Sequence, residues 1–168
     1  MSTAPGASAG PSGEHDRRRL LEIWREVLVA PTELDPAEAV LAELADYFEI
    51  SVEEARERSL HYASHSAEEW DDGDRTTPDG LIDYWNRHSP VFGILMSHAL
   101  QYTEEHPAVC IDIAEVLADM PTGRLLDYGV GPATSSLFFE RLGWSVTGAD
   151  VSTTMLDFAT WRAERRGS

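Results

Sequence analysis

The chain contains no lysine. All 13 of its basic residues are arginine, against 30 acidic residues, and the formal net charge is −17. Without lysine, Schiff-base chemistry on a lysine side chain is excluded. Nucleic-acid binding depends on clustered Lys and Arg side chains, so this balance argues against a nucleic acid as partner. The single dense basic run, Arg17-Arg18-Arg19, stands at a predicted helix start and is interpreted as a solvated helix face.

Cysteine and long apolar runs are also scarce. Cys110 is the only cysteine, which excludes a disulfide within the chain and is typical of a cytoplasmic protein. No run approaches the ~20 apolar residues of a membrane helix, so we expect no membrane partner. Residues 1–15 are rich in Ser, Ala, Gly and Pro and lack an apolar signal-peptide core, and we expect a disordered tail there.

Residues 16–121 are predicted to be helical, and the 42% hydrophobic content of the chain is enough for a buried core. The first helix is predicted from apolar residues spaced three and four apart: Leu20, Ile23, Trp24, Val27 and Leu28. Further helix starts are predicted where a capping side chain or a proline precedes apolar residues, at Asp35-Pro36, Ser51, Thr77-Pro78 and Pro107. The helix from Ser51 is expected to reach Trp70.

Two patterns in this region raise a metal hypothesis. His61 and His65 lie four apart on a predicted helix and could share a metal, but the glutamate of an HExxH motif is missing. The acidic run at 71–74 suggests a calcium site. The EF-hand pattern, however, needs glycine at its sixth position, and counting from Asp72 this position is Thr77. A solvated helix face and a polar loop are the favoured interpretations, and no metal is expected.

The stretch from Leu125 to Ala133 has the most functional content. A short apolar run, predicted as a buried strand over 124–127, ends at Asp127 and is followed by Gly129 and Gly131. Glycine adopts positive φ and has no Cβ to keep a ligand from the backbone. A helix predicted over 134–142 would direct its free N–H groups at this loop.

A second strand is predicted over 144–149, after a helix-ending Gly143. Asp150 follows it directly, 19 residues after Gly131. An acid at this place can accept hydrogen bonds from the hydroxyls of a ribose. Strand, glycine loop, helix, strand and acid together indicate the first half of a nucleotide-binding unit.

These residues resemble the start of class I S-adenosylmethionine-dependent methyltransferases, over about 45 residues from Gly123 onward. The family has an acid two residues before Gly-x-Gly and then a small residue, and Ala133 stands where glycine is commoner. Ser152 and the Met155-Leu156 pair also match the family's pattern after the second acid. The resemblance implies S-adenosyl-L-methionine as cofactor, bound by these residues: Asp127, Tyr128, Gly129, Gly131, Ala133, Asp150, Val151 and Met155.

The implied fold is α/β, a helical region over 16–121 followed over 122–168 by a truncated Rossmann-like βαβα unit. The family's sheet has seven strands, of which two are present, so we expect weak cofactor binding, no methyl transfer by this chain alone and self-association through the unpaired edge of the 125–128 strand. The implied substrate is a small-molecule methyl acceptor. No catalytic residue is assigned, although the aromatic cluster Tyr84, Trp85, His88 and Phe92 could belong to a lid, with His88 as a general base.

Three alternatives stay open. An NAD(P)-dependent oxidoreductase would want G-x-G-x-x-G/A, and Thr134 stands at the sixth position. A non-catalytic helical interaction module could carry a degenerate nucleotide-binding fold. A glycine turn without a ligand, with Asp150 as a helix cap, is the simplest interpretation of the pattern.

Overall fold

The structure, a computed structural model, describes residues 11–87 and 89–168. It is mostly helical, with a small parallel sheet of two strands. None of the described helices is both long and apolar enough to cross a membrane. Within the described ranges the elements follow one another in this order: α1 (Pro11–Val29), α2 (Pro36–Tyr47), α3 (Val52–Leu60), α4 (Tyr62–Asp72), α5 (Pro78–Trp85), α6 (Ser89–Ala99), α7 (Val109–Leu117), β1 (Arg124–Tyr128), α8 (Thr134–Arg141), β2 (Ser145–Ala149) and α9 (Thr153–Arg166).

The predicted boundary of the N-terminal tail is shifted by the structure. Helix α1 begins at Pro11, so residues 11–15, which composition assigned to the tail, belong to the helix, while residues 1–10 lie outside the described part. Proline suits the first helical position because its missing N–H would have no partner there.

The predicted helix starts at Asp35-Pro36, Ser51 and Thr77-Pro78 are confirmed, whereas the helix expected from Pro107 begins only at Val109. The Asp35 side chain accepts from the Ala37 N–H at 3.0 Å, and the Ser51 hydroxyl accepts from the Glu54 N–H at 3.1 Å. In the acidic loop, the carboxylate of Asp74 accepts from the backbone N–H of Thr76 at 2.8 Å and from neighbouring hydroxyls. The Asp74 carboxylate is thus engaged by residues of its own loop.

The single helix predicted from Ser51 to Trp70 is wrong. It is divided at His61, whose φ of −95° and ψ of 6° end α3 and precede α4. The packing of Tyr62 supplies the physical reason, because its ring lies so close to α6 that a Cβ added to Gly93 would come within 2.2 Å of it. A change of direction at His61 allows this contact between α4 and α6.

One hydrophobic core joins the helical region to the strands. Trp24 of α1 is buried and lies edge-on against Phe138 of α8 and His98 of α6. Its indole N–H donates to the His98 carbonyl at 3.3 Å. Leu125 of β1 and Val146 of β2 pack against the same core. The two regions distinguished in the sequence therefore share their buried surface.

Strands β1 and β2 pair in parallel, with Leu125 opposite Val146 and Asp127 opposite Gly148. The predicted order of strand, helix and strand is confirmed, although β1 extends to Tyr128 and β2 begins at Ser145. The prediction of a buried strand is wrong for β1, whose residues alternate between exposed and half-buried. Glycine is required at 148, since a Cβ there would lie 2.8 Å from Cγ2 of Val130. This close approach lets the loop after β1 fold over the end of β2.

In the described residues β1 pairs only with β2, which leaves its other edge without a strand. Leu126 is 64% exposed and Tyr128 is 81% exposed on this strand. Val109 and Ile113 of α7 line the same groove as Leu126 and are exposed as well. An unpaired strand edge beside apolar side chains favours association with another chain.

We therefore expect the protein to associate as its concentration rises, and Leu126→Lys to weaken this association. Burying a leucine side chain contributes about 1.5–3 kcal/mol, which corresponds to a change in the dissociation constant of roughly tenfold or more. Light scattering across a concentration series measures it. The matched control is Leu60→Lys, which alters a 75% exposed leucine on α3. A wild-type protein that stays monomeric, or equal effects of the two substitutions, would contradict the prediction.

Candidate functional site

Three residues of the loop that joins β1 to α8 have a left-handed backbone conformation. Gly129, Gly131 and Ala133 have φ angles of 80°, 50° and 59°. The N–H groups of Gly129 and Val130 both donate to the carbonyl of Ala149, at 2.7 and 3.1 Å. The loop is thus fastened to the end of β2. The sequence predicted positive φ at the two glycines but not at Ala133.

Gly129 is the exposed part of this loop, whereas residues 130–134 are buried. A Cβ at position 129 would meet nothing within 4 Å among the residues that the structure describes. Open space therefore adjoins the backbone at the carboxyl end of β1. In parallel sheets this end of the strands is where ligands bind.

Asp150 lies beside the loop, as its spacing predicted, and its carboxylate is engaged by the chain. Oδ2 accepts from the N–H of Gly131 at 3.0 Å, and Oδ1 accepts from the N–H of Ser152 at 2.9 Å. Asp150 therefore fastens the loop to the start of α9. Each carboxylate oxygen has two lone pairs, so one acceptor position per oxygen remains for a ligand.

Asp127 is half-buried and accepts a hydrogen bond from the hydroxyl of Ser136 at 2.8 Å. It also lines a groove of about 390 Å³ together with Cys110, Ser135 and Gln101. Burial raises the pKa of the Cys110 thiol to about 12, so this cysteine stays protonated and unreactive. Asp127 thus anchors the first turn of α8 from the strand below it.

The remaining predicted binding residues separate into two groups. Tyr128 directly precedes Gly129 and is 81% exposed, and Val151 directly follows Asp150 and is 55% exposed. Met155 is 2% exposed and belongs to the main core. Tyr128 and Val151 are therefore accessible, whereas Met155 lies inside the protein.

The turn after α5 contacts the segment that follows Asp150. The Trp85 carbonyl accepts from the Ser152 hydroxyl at 2.6 Å, and Asn86 Oδ1 accepts from the Thr153 N–H at 2.8 Å. This is the part of the aromatic cluster that lies near the loop. Phe92 is buried in the core and stacks on Phe48, and His88 lies outside the described residues.

Sequence reasoning missed the buried polar residues behind the loop. Arg162 of α9 is 0% exposed, and its Nη1 donates to the Pro132 carbonyl and to Thr134 Oγ1, each at 2.7 Å. Its Nε donates to Glu43 of α2 at 2.8 Å. One signal could have found it, because Arg162 stands seven residues after the buried Met155, on the core-facing stripe of α9.

Thr134 links this arginine to His98. Arginine only donates hydrogen bonds, so the Thr134 hydroxyl accepts from Arg162 and can give its own proton to His98 Nδ1, 3.1 Å away. Burial and then the charge of Arg162 lower the pKa of His98 to about 4. Burial also lowers the pKa of Arg162, to about 10, which leaves it charged at neutral pH beside a neutral histidine.

No protein-family model, curated protein or solved structure matches the chain.

The lowered pKa of His98 makes the stability of the protein depend on pH. Folded His98 stays neutral down to about pH 4, whereas in the unfolded chain it takes up a proton below its ordinary value near 6.5. The unfolded state then binds more protons, so the free energy of unfolding falls as pH drops through this range, by at most about 3 kcal/mol. Urea unfolding at successive pH values measures this.

His98→Gln keeps an acceptor for Thr134 and should remove this part of the pH dependence. The control is His65→Gln, which alters an exposed histidine of α4 and should leave the dependence as it is in the wild type. An unchanged slope in the His98 variant would contradict the assignment.

Proposed function

We propose that the chain is an S-adenosyl-L-methionine-dependent methyltransferase, or the N-terminal part of one, that acts on a small molecule. In this proposal residues 122–168 are the start of a Rossmann-like domain, and the helical region covers its cofactor site. The observation that carries it is the open backbone at Gly129, next to Asp150, at the carboxyl ends of two parallel strands.

The residues around the loop suit a nucleoside. Asp150 retains acceptor positions for the two ribose hydroxyls. Tyr128 and Val151, which adjoin Gly129 and Asp150 in the chain, expose side-chain surface that could contact the flat ring of adenine. Ala133, the N-cap residue of α8, makes no side-chain cap hydrogen bond, so the first N–H groups of this helix favour a polar or negatively charged ligand group.

Bound S-adenosylmethionine supplies an activated methyl group, and the part played by the chain is alignment. The residues here hold the nucleoside and keep water from the loop, most of which is buried. The acceptor is proposed to be a small molecule with a nucleophilic oxygen, nitrogen or carbon. No catalytic side chain is assigned.

The charges support a small-molecule acceptor over a nucleic acid. In the basic run, Arg17 binds Asp112 and Glu115, and Arg19 pairs with Glu22. These arginines are already engaged by acids of the chain, in a protein of net charge −17. We also propose a cytoplasmic location, since the one cysteine is buried and the fold uses no disulfide.

One observation favours the second candidate, a helical interaction module without a cofactor. Both oxygens of Asp150 already bind backbone N–H groups, so the residue has a structural role that needs no ligand. The oxidoreductase alternative is weakened by Thr134, which is fully buried and bound to Arg162 at the position where a dinucleotide site wants Gly or Ala.

Calorimetry should detect binding of S-adenosylmethionine or its demethylated product, and Asp150→Ala should weaken it by about 1.5–3 kcal/mol, as expected for hydrogen bonds to a charged group. Since Asp150 also binds the loop backbone, the same substitution should lower the free energy of unfolding. Asp157→Ala, which removes an exposed carboxylate from α9, is the control and should leave the affinity unchanged. Tighter binding of NADH would favour the oxidoreductase, and no binding of either would favour the interaction module.

Gly129→Ala separates a ligand site from a simple turn. In the free protein the added Cβ meets nothing within 4 Å, so the cost in stability is that of a left-handed alanine, about 1–2 kcal/mol. A cofactor against the Gly129 backbone would meet that methyl group, so the affinity of Gly129→Ala should fall well below that of the wild type and of the Asp157→Ala control. Thermal unfolding and calorimetry on the same sample measure both effects. Wild-type affinity in the folded variant would exclude Gly129 from the site.

A further inference from the structure

A buried ionic cluster lies behind the glycine loop. Arg162 and Arg166 of α9 both bind the carboxylate of Glu43 in α2, and all three side chains are at least nine-tenths buried. Two cations share one carboxylate, which leaves a buried excess of positive charge. Arg162 Nη2 has no hydrogen-bond partner in the described part of the chain.

Such a cluster is a poor source of stability. Removing charges from water costs about as much as their attraction returns, and well-packed apolar residues often replace buried ion pairs without loss. The best attested use of buried charges is to select one conformation among several. What Arg162 touches indicates which conformation it selects.

The two acceptors of Arg162 Nη1 flank the strained residue of the loop. Pro132 and Thr134 stand on either side of Ala133, which has φ of 59° and ψ of 17°. A residue with a Cβ rarely adopts this left-handed conformation, and it persists only where its surroundings impose it. Arg162 fixes the carbonyl before Ala133 and the side chain after it, so it supplies that constraint.

The cluster also reaches across the fold. Glu43 of α2 binds Arg162, and the Thr134 hydroxyl, which also binds Arg162, forms a hydrogen bond with His98 of α6. The shape of the loop therefore depends on two helices of the N-terminal region as well as on α9. A loop of this kind is positioned before any ligand arrives.

We propose that Arg162 is a positioning residue, held by Glu43, which keeps the loop at Ala133 in the conformation that binds the nucleoside cofactor. The identity of the ligand in this inference rests on the proposed function. The effect of Arg162 on the loop conformation, in contrast, concerns the protein without a ligand. Arg162 does not touch the ligand itself; it acts through Pro132 and Thr134.

The test uses Arg162→Lys, Ala133→Gly and the double variant of the full chain. Lysine keeps the charge but loses the fork of donors, so the affinity for S-adenosylmethionine should fall about tenfold, the equivalent of one charged hydrogen bond. Glycine adopts positive φ without strain, so Ala133→Gly should restore most of the lost affinity in the double variant. Arg165→Lys, in an exposed pair with Asp46, is the control and should bind like the wild type.

Amide exchange supplies a readout without cofactor. The Gly131 N–H donates to Asp150 and the Ala133 N–H donates to the Val130 carbonyl. The exchange rates of these two N–H groups therefore report whether the loop keeps its conformation. Arg162→Lys should speed their exchange, and the added Ala133→Gly should slow it again. If Arg162→Lys does not fold, Thr134→Val removes one of the two contacts while preserving side-chain volume, and the same exchange pattern is expected.

The outcomes distinguish the two proposals. If the wild type binds no S-adenosylmethionine but the exchange pattern appears, the cofactor assignment fails and the positioning role stands. The positioning role is overturned if Arg162→Lys lowers the affinity without faster exchange at Gly131 and Ala133. It is also overturned if the added Ala133→Gly restores neither the affinity nor the slow exchange.

Discussion

The guanidinium of Arg162 lies where α2, α9 and the glycine loop meet, and the geometry of the candidate site depends on it. It is enclosed by the protein, and its partners are Glu43, the Pro132 carbonyl and the Thr134 hydroxyl. A buried charge requires each of these partners, since losing one leaves a group without compensation in a low dielectric. The loop, two helices and α9 are consequently constrained together.

This constraint explains how a small sheet supports an ordered loop. Two paired strands are marginal by themselves. Here the end of β1 is tied to β2 through the Ala149 carbonyl, to α9 through Asp150 and to the helical region through Arg162. The helical region thus contributes to the site directly, since its side chains reach the loop that the strands present.

The local features of the chain follow from its sequence. Asp35 and Ser51 cap helices because their side-chain oxygens reach N–H groups two or three residues ahead. The order strand, glycine loop, helix and strand, and the contact of Asp150 with the loop, also follow from residue type and spacing. Each depends on interactions within a few residues or within one strand–helix–strand unit, and such interactions leave a pattern in the sequence.

The tertiary structure decided the rest. Glu43 and Arg162 are 119 residues apart, and a pair of opposite charges at that separation has no recognisable spacing. Packing against Gly93 divided the helix predicted from Ser51, and core burial removed Met155 from the accessible site. The left-handed Ala133 also required tertiary contacts, because its own side chain disfavours that conformation. The sequence determined which segments could form; contacts between distant segments determined how the loop is held.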